Sequence, residues 1–272
     1  MKSKPWLLRQ LLRFRFGLKS ILLGVLITCT WLGWVTHSAF QESEAVDTLM
    51  SQGVKIDFDD DYRISLRRPF PMWLRPYLPK PFQQMAHKAF SYGNCLPDLS
   101  PLGKLRGLQI LVLEGKDCED ISVLQGLPLC KVYFHDTAIV DLSPLQSCPT
   151  LYVLDMVDTP VTDISPLAGC PQIFGICLLG TEVTDISCLR NTMSLERIRI
   201  QDSPVADLCH LKDLRNLSRA TFSPNADPAQ IALLESSLPT CDIRVSTEQK
   251  SAGPTANGKS INVSPEVTKF AV

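Results

Sequence analysis

The sequence lacks the features that usually identify an enzyme or a nucleic-acid-binding protein. Its 27 basic and 28 acidic residues leave a formal net charge of −1, so no excess of positive charge is available to attract nucleic acid. None of its 10 cysteines forms a Cys-x-x-Cys pair, the spacing typical of zinc sites and thioredoxin-like motifs. Phosphate-binding loops, His-Glu-x-x-His motifs and dinucleotide fingerprints are also absent. We therefore expect no catalytic residue, no metal, no cofactor and no nucleic-acid partner.

Acidic residues are missing from the N-terminus, and the residues present there predict a membrane anchor. Residues 1–19 form a basic segment, which we expect to be cytoplasmic, and residues 20–36 are uncharged and rich in Leu, Ile and Val. This length is at the short end of what crosses a hydrocarbon core of about 30 Å. Trp31 and Trp34 suit the headgroup level near its far end. Because cations precede the segment and acids follow it, we expect a single-pass helix in the bilayer, with the C-terminal domain outside the cytoplasmic membrane, on the periplasmic side.

Two other interpretations of residues 20–36 stay open. The segment could be a cleaved signal peptide, although a cut after Ala39 would place His37 where a small residue is preferred. It could also be a buried hydrophobic helix of a soluble protein.

We expect residues 37–93 to form an N-terminal lead-in and cap. Apolar spacing in residues 42–52 predicts a helix that ends at Gly53, and residues 54–58 alternate like a short strand. The run Asp59–Asp61 lacks the twelve-residue loop of a calcium site, which favours a solvated turn.

An aspartate recurs along the middle of the chain at steps of 22, 21, 22, 22 and 22 residues. The recurring residues are Asp98, Asp120, Asp141, Asp163, Asp185 and Asp207. The text between them repeats too, since Asp-Leu-Ser-Pro-Leu begins at residue 141 and Asp-Ile-Ser-Pro-Leu at residue 163. A fixed period of roughly 20–29 residues is the signature of a leucine-rich-repeat solenoid. Residues 94–226 are therefore predicted to be leucine-rich repeats.

The aligned repeats predict an α/β solenoid with the horseshoe shape of leucine-rich repeats. Apolar residues fall into columns, such as Leu154, Ile176 and Ile198, which stacked coils would bury continuously. Ser143-Pro144 and Ser165-Pro166 place a capping hydroxyl before a proline. We therefore expect turns or short 3-10 helices on the convex face and short parallel strands on the concave face.

The two ends of the repeat array carry their own signals. A short helix is predicted at residues 82–89 and a first strand at residues 88–92. Asp227 before Pro228 predicts the start of a helix, and with a final strand it would make residues 227–245 a C-terminal cap. Residues 246–272 are mostly small and polar, which predicts a disordered tail.

The repeat text, Asp-Ile/Leu-Ser-Pro-Leu followed by Thr-x-Val-Thr-Asp at a 22-residue period, resembles the internalin-type class of bacterial leucine-rich repeats. The segment from Arg13 to Trp34 is similar to the membrane anchor of a group of bacterial repeat proteins, which also share elements matched here by Ala45–Val54 and Trp73–Arg75. The resemblance implies the fold and a single-pass topology. It implies function only weakly, because such proteins bind many unrelated partners, and no ligand-contacting residue is carried over.

Residues that alternate with the buried strand positions are predicted to form a concave face that binds another protein. An apolar centre lies between an aromatic side and a basic side of arginines, a composition that suits a protein partner. The arginines alone could bind an anionic glycan or phosphate. The candidate residues are Tyr133, His135, Val153, Asp155, Val157, Cys177, Leu179, Arg197, Arg199, Gln201 and Arg219.

Two further functions remain as alternatives. The chain could be a structural envelope component whose repeats bind sister copies, and the oligomeric state is left open. It could instead be a hydrolase using Cys177 with His135, although no triad partner is visible in the sequence. Cys118, Cys148 and Cys170 lie in apolar columns and are interpreted as small core hydrophobes.

Overall fold

The computed structural model describes the backbone of residues 5–58, 86–92 and 98–246, and the side chains of residues 20–58, 86–92 and 98–246. The predicted turn at Asp59–Asp61, the first residues of the predicted helix at 82–89 and nearly all of the predicted disordered tail lie outside these ranges.

One helix, α1, runs from Pro5 to Ser51 without a break. It joins the predicted membrane segment to the predicted cap helix, because no proline follows Pro5 within this stretch to interrupt the hydrogen-bond ladder. Gly53 follows the end of the helix, and its φ of 92° is the left-handed conformation that glycine tolerates. The N–H of Gly53 donates to the carbonyl of Met50 (3.1 Å) and the N–H of Val54 to that of Leu49 (3.0 Å). This is a Schellman motif, closed by the buried pair Leu49 and Val54.

Within the described residues, nine strands form one sheet in chain order. β1 pairs antiparallel with β2, and every later pair is parallel and in register. The parallel sheet confirms the predicted solenoid. The strands are β1 Lys55–Phe58, β2 Ala86–Ser91, β3 Ile110–Glu114, β4 Lys131–His135, β5 Val153–Val157, β6 Gly175–Leu179, β7 Arg197–Gln201, β8 Arg219–Phe222 and β9 Asp242–Val245.

Strand β2 partly contradicts the sequence prediction. The predicted first strand is present, but the short helix predicted at residues 82–89 is wrong for its last residues, which are extended. Ala86, Ala89 and Ser91 are buried there, and β2 pairs with both β1 and β3. Pairing on both edges overrides the local helical preference.

Short 3-10 helices return the chain from one strand to the next. They are η1 Ser100–Lys104, η2 Ser122–Leu124, η3 Ser143–Ser147, η4 Ser165–Gly169, η5 Ser187–Asn191 and η6 Cys209–Leu211.

The recurring aspartate, not the serine hydroxyl, caps each of these helices. Asp141 Oδ1 accepts the N–H of Ser143 (2.8 Å), and its Oδ2 accepts the hydroxyl of Ser143 (2.8 Å). The serine therefore donates to the carboxylate, and the predicted capping hydroxyl is wrong. This contact explains why an aspartate stands at that point of every coil.

The predicted apolar columns are the core. Leu154, Ile176 and Leu178 are fully buried, and they belong to one continuous cluster that runs through all the coils. Each such side chain contributes roughly 1.5–3 kcal/mol relative to an exposed one.

Both ends of the solenoid are covered. Ala45, Val46 and Leu49 of α1 are buried against the first coil. At the other end, α2 (Pro228–Ser237) has the predicted N-cap, in which Asp227 accepts the N–H of Ala229 at 2.9 Å. The predicted final strand is β9. Closing both ends removes the exposed core that an uncapped repeat array would present to water.

Candidate partner-binding face

The parallel pairing of the strands aligns the predicted site residues in three rows on the sheet face opposite the core. The middle row runs through Tyr133, Asp155, Cys177 and Arg199 on consecutive strands. His135, Val157, Leu179 and Gln201 form the row nearer the strand ends. Val153, Arg197 and Arg219 share the remaining row with Gly175. The structure therefore brings all eleven candidates onto one surface of β4–β8.

The candidates differ in exposure. Five are buried, with less than a tenth of their surface exposed: Tyr133, Val153, Asp155, Cys177 and Gln201. The others are half-buried or, for Arg219, exposed. Adjacent parallel strands lie about 4.8 Å apart, so large neighbours such as Tyr133 cover smaller ones such as Val153. A partner would thus meet mainly His135, Val157 and Leu179, together with the arginines.

The aromatic side of this face extends further than the sequence alone indicated. Phe90 in β2 packs against the cluster formed by Val112, Tyr133 and Val153. Tyr92 stacks on Phe90 with the ring centroids 6.0 Å apart. Extending the middle row by one strand, from β3 to β2, would have found Phe90.

Asp155 is the most unusual residue of the face. Burial raises the pKa of its carboxyl, against the opposing effects of His135, a hydrogen bond with Cys177 and the charge of Arg199. Its Oδ1 makes no hydrogen bond and lies 4.0 Å from Nε2 of His135, which is also buried without a partner. A carboxylate held this way is an acceptor for a donor group brought by a ligand.

Tyr133 shares this environment. Burial, followed by the charge of Asp155, raises the pKa of its phenol to about 12. The phenol therefore stays neutral at physiological pH and acts as a polar contact.

Cys177 is a poor candidate nucleophile. Burial and the neighbouring Asp155 raise the pKa of its thiol well above the usual value, and Arg199 only partly opposes them. A cysteine nucleophile needs its thiolate. His135 is also badly placed to act as a base for Cys177, because it lies two strands away from it. The two residues are on different rows, since His135 shares its row with Leu179. The geometry thus disfavours the hydrolase alternative.

The basic side is partly neutralised by an acid. Arg244, which the sequence prediction omitted, contacts Asp242 at 2.7 Å, and Arg219 lies 3.8 Å from the same carboxylate. Arg197 lies over the ring of Phe174, 5.3 Å from its centroid. Arg199, in the middle row, interacts electrostatically with Asp155 and Cys177.

Three side chains elsewhere have the chemistry of metal ligands. Ligand atoms of Asp207, Cys209 and His210 lie within 4.8 Å of one another. Asp207, however, accepts the N–H of Cys209 at 2.8 Å, the same capping contact that the other coils make with serine. The repeat architecture accounts for the cluster.

Cys118 is buried in the apolar core, as its column predicts, and it is also disulfide-bonded, which the sequence interpretation did not include. Among the other cysteines of the described residues, all eight are free, including the buried Cys148 and Cys170. The sequence has one more cysteine, Cys95, which lies outside the described residues.

The part of α1 that follows the basic segment has the length and composition of a membrane-crossing helix. The candidate stretch is Ser20–Ser51, with a mean hydropathy of 1.5 in its most apolar window and 6 % of that window buried. Large apolar side chains such as Leu22, Leu26 and Trp34 are each about 60 % exposed. A signal sequence would have the same character.

The fold is that of a leucine-rich-repeat solenoid. Solved structures with this fold include an internalin (inlF) of Listeria monocytogenes, with 24 % identity and a TM-score of 0.51 over 60 % of this chain and 50 % of the internalin. An internalin C2 (inlC2) of the same species has 28 % identity and a TM-score of 0.46, over 55 % of this chain and 67 % of that one. A leucine-rich-repeat protein of Leptospira interrogans has 16 % identity and a TM-score of 0.48, over 61 % and 51 % of the two chains.

The likeness to the first internalin bears on the fold alone, and the chain spans half the length of that internalin. No protein-family model matches the sequence. No curated protein sequence matches it significantly.

Proposed function

We propose that this chain is a single-pass membrane protein that displays a leucine-rich-repeat module outside the cytoplasmic membrane and binds another protein through its concave face. The observation that carries the proposal is the open sheet face, where a buried polar group with an unpaired oxygen, Asp155, lies beside half-buried Val157 and Leu179. These residues belong neither to the inner core nor to the end caps.

The anchor is supported by the exposed apolar surface of α1. Water would have to surround Leu22, Leu26 and Trp34, whereas a bilayer would bury them. The intact mass of the protein extracted from membranes tests this. Retention of residues 1–39 supports the anchor, and their loss identifies a cleaved signal peptide.

Two observations support the proposal that the repeats lie outside the cytoplasmic membrane. Cations outnumber acids before the apolar segment, which favours a cytoplasmic N-terminus. The disulfide at Cys118 suits an oxidising compartment. A C-terminal alkaline phosphatase fusion should therefore be active in intact cells, and inactivity would place the repeats in the cytoplasm.

The chemistry of the face suggests what it binds. A partner segment with apolar side chains for Val157 and Leu179 and an acidic group for Arg199 would match it. A free anionic glycan or phosphate is less well supported, because Asp242 already contacts Arg219 and Arg244.

Photo-crosslinking in intact cells tests the proposed face. A benzophenone amino acid placed at Val157 or Leu179 should give one discrete adduct with another protein. Glu182 is exposed on a loop beside the sheet and serves as the matched control position. Equal adducts from all three positions, or none from Val157 and Leu179, would contradict the proposal.

The same experiment addresses self-association. An adduct from Leu179 with twice the mass of the chain and only its peptides would favour the structural envelope alternative.

A further inference from the structure

The two edges of the solenoid differ in charge. We call the loops between each strand and the next 3-10 helix the acidic flank, residues 115–121, 136–142, 158–164, 180–186 and 202–208. They contain 11 acidic residues and a single cation, Lys116. We call the segments that run from the end of each 3-10 helix to the following strand the basic flank, residues 103–109, 125–130, 146–152, 168–174, 190–196 and 212–218.

The basic flank holds five cations and two acids. Its cations are Lys104, Arg106, Arg190, Lys212 and Arg215, and all five are exposed. Successive coils are hydrogen-bonded along it, as where the N–H of Phe174 donates to the carbonyl of Tyr152 (2.8 Å). The flank is therefore one continuous surface, with positive charge concentrated in its first and last coils.

Helix α1 reaches the solenoid at the basic flank. Arg106 lies over the ring of Trp34, 5.4 Å from its centroid. Trp34 also lies near the far end of the apolar segment, where we expect the headgroup level. The first coil of the basic flank thus meets the chain where it leaves the predicted bilayer.

The direction of α1 fixes the direction of the strands. The N–H of Ala86, the first residue of β2, donates to the buried carboxylate of Glu42. After the helix has ended, Lys55 pairs with Phe90 near the end of β2. Helix α1 therefore advances in the same direction as β2, and the parallel strands point away from the bilayer. The stack of coils, which is perpendicular to its strands, then extends along the membrane surface.

Aromatic residues continue along the same flank between the charged ends. Lys131 lies 5.5 Å from the ring centroid of Tyr152, and Arg197 lies over Phe174. Aromatic rings and long cationic side chains are enriched where protein meets the lipid–water boundary.

We infer that the basic flank lies against the anionic headgroups of the bilayer surface, with the concave face turned sideways and the acidic flank turned away. The inference rests on the proposed membrane anchor. Lys212 and Arg215, in the last coil, are the residues that test whether the whole flank lies on the bilayer. They lie five strand steps of about 4.8 Å from Arg106, or about 24 Å along the stack. That distance exceeds a Debye length of about 8 Å, so they sense the surface only if the whole stack lies on it.

Lysine reactivity in the full-length protein tests this orientation. The protein is reconstituted into phosphatidylcholine nanodiscs with or without phosphatidylglycerol, and acetylation by a water-soluble reagent is followed by mass spectrometry. We expect Lys212 to react at least about threefold more slowly in the anionic nanodiscs than in detergent. Lys116, on the acidic flank and exposed, should react equally in all three.

A pair of matched variants sharpens the test. Arg190→Glu with Arg215→Glu should abolish the protection of Lys212, whereas Lys116→Glu should leave it intact. Both changes are at exposed positions, and unchanged thermal unfolding confirms that the fold is kept.

The outcomes separate the two proposals. Failure of the protein to remain with the nanodiscs would remove the anchor itself. Stable incorporation with Lys212 fully reactive would overturn the orientation alone. Equal protection with and without phosphatidylglycerol would overturn the anionic chemistry, and equal protection in detergent would show that protein, such as residues 59–85, covers the flank instead.

Discussion

The two faces of the sheet hold different kinds of residue. On the inner face, Leu154, Ile176 and Leu178 are fully buried in an apolar environment that suits them. On the concave face, Asp155 is buried with an oxygen that has no hydrogen bond. A natural sequence tends to depart from good packing where function requires it. The inner face specifies the fold, and the concave face is the one for which we propose a binding role.

Leu178→Asp should have the largest effect. A charge at this fully buried position cannot be hydrated, so we expect the free energy of unfolding to fall by at least about 4 kcal/mol. Thermal unfolding followed by circular dichroism measures the loss. Leu178→Met keeps the volume and serves as control, with an expected change below about 1.5 kcal/mol. If the Leu178→Asp protein stayed folded, the proposed difference between the inner and concave faces would be contradicted.

Asp155→Asn should stabilise the protein. The pKa of Asp155 is raised in the folded state, so ionisation favours unfolding, and stability falls as pH rises above about 3.9, where the unfolded chain ionises. Asparagine removes this penalty. We expect a gain of about 1–3 kcal/mol at pH 7.5 that disappears below about pH 4.

Unfolding temperatures measured at both pH values check this prediction. A less stable Asp155→Asn variant at pH 7.5 would mean that the buried carboxylate supports the fold. The concave face would then not differ from the inner face in the proposed way.

Asp141→Ala should have a smaller effect in the opposite direction. The N–H and hydroxyl of Ser143 lower the pKa of Asp141, so its stabilising contribution is present above about pH 4 and is lost as pH falls through the lowered pKa. We expect a fall of about 1–3 °C in the unfolding temperature at pH 7. Asp141→Asn, which keeps an acceptor, should lose less, and an equal loss in both variants would argue against the capping role.

Much of the fold followed from the sequence because the repeat signals are local and recur. The spacing of the aspartates gave the number of coils, and columns such as Leu154, Ile176 and Ile198 identified the inner face. The 82–89 region was misjudged because its strand depends on pairing with β1 and β3, which no local signal shows.

The site was less predictable than the fold. Alternation assigned Asp155 to the concave face but could not show that its neighbours bury it. The charge difference between the two flanks was hidden as well, because it appears only when charges are summed over all the coils. The contact between Trp34 and Arg106 also joins distant parts of the chain.

Leu179→Asp should have the smallest effect, and its comparison with Leu178→Asp tests the central claim most directly. Leu179 is adjacent in sequence but lies on the half-buried concave face, so we expect a change within about 0.5 kcal/mol. Hydrogen exchange of β5–β7, measured on both full-length variants in detergent, should show protection lost in Leu178→Asp and retained in Leu179→Asp. Equal loss of protection in the two variants would contradict the assignment of the two faces.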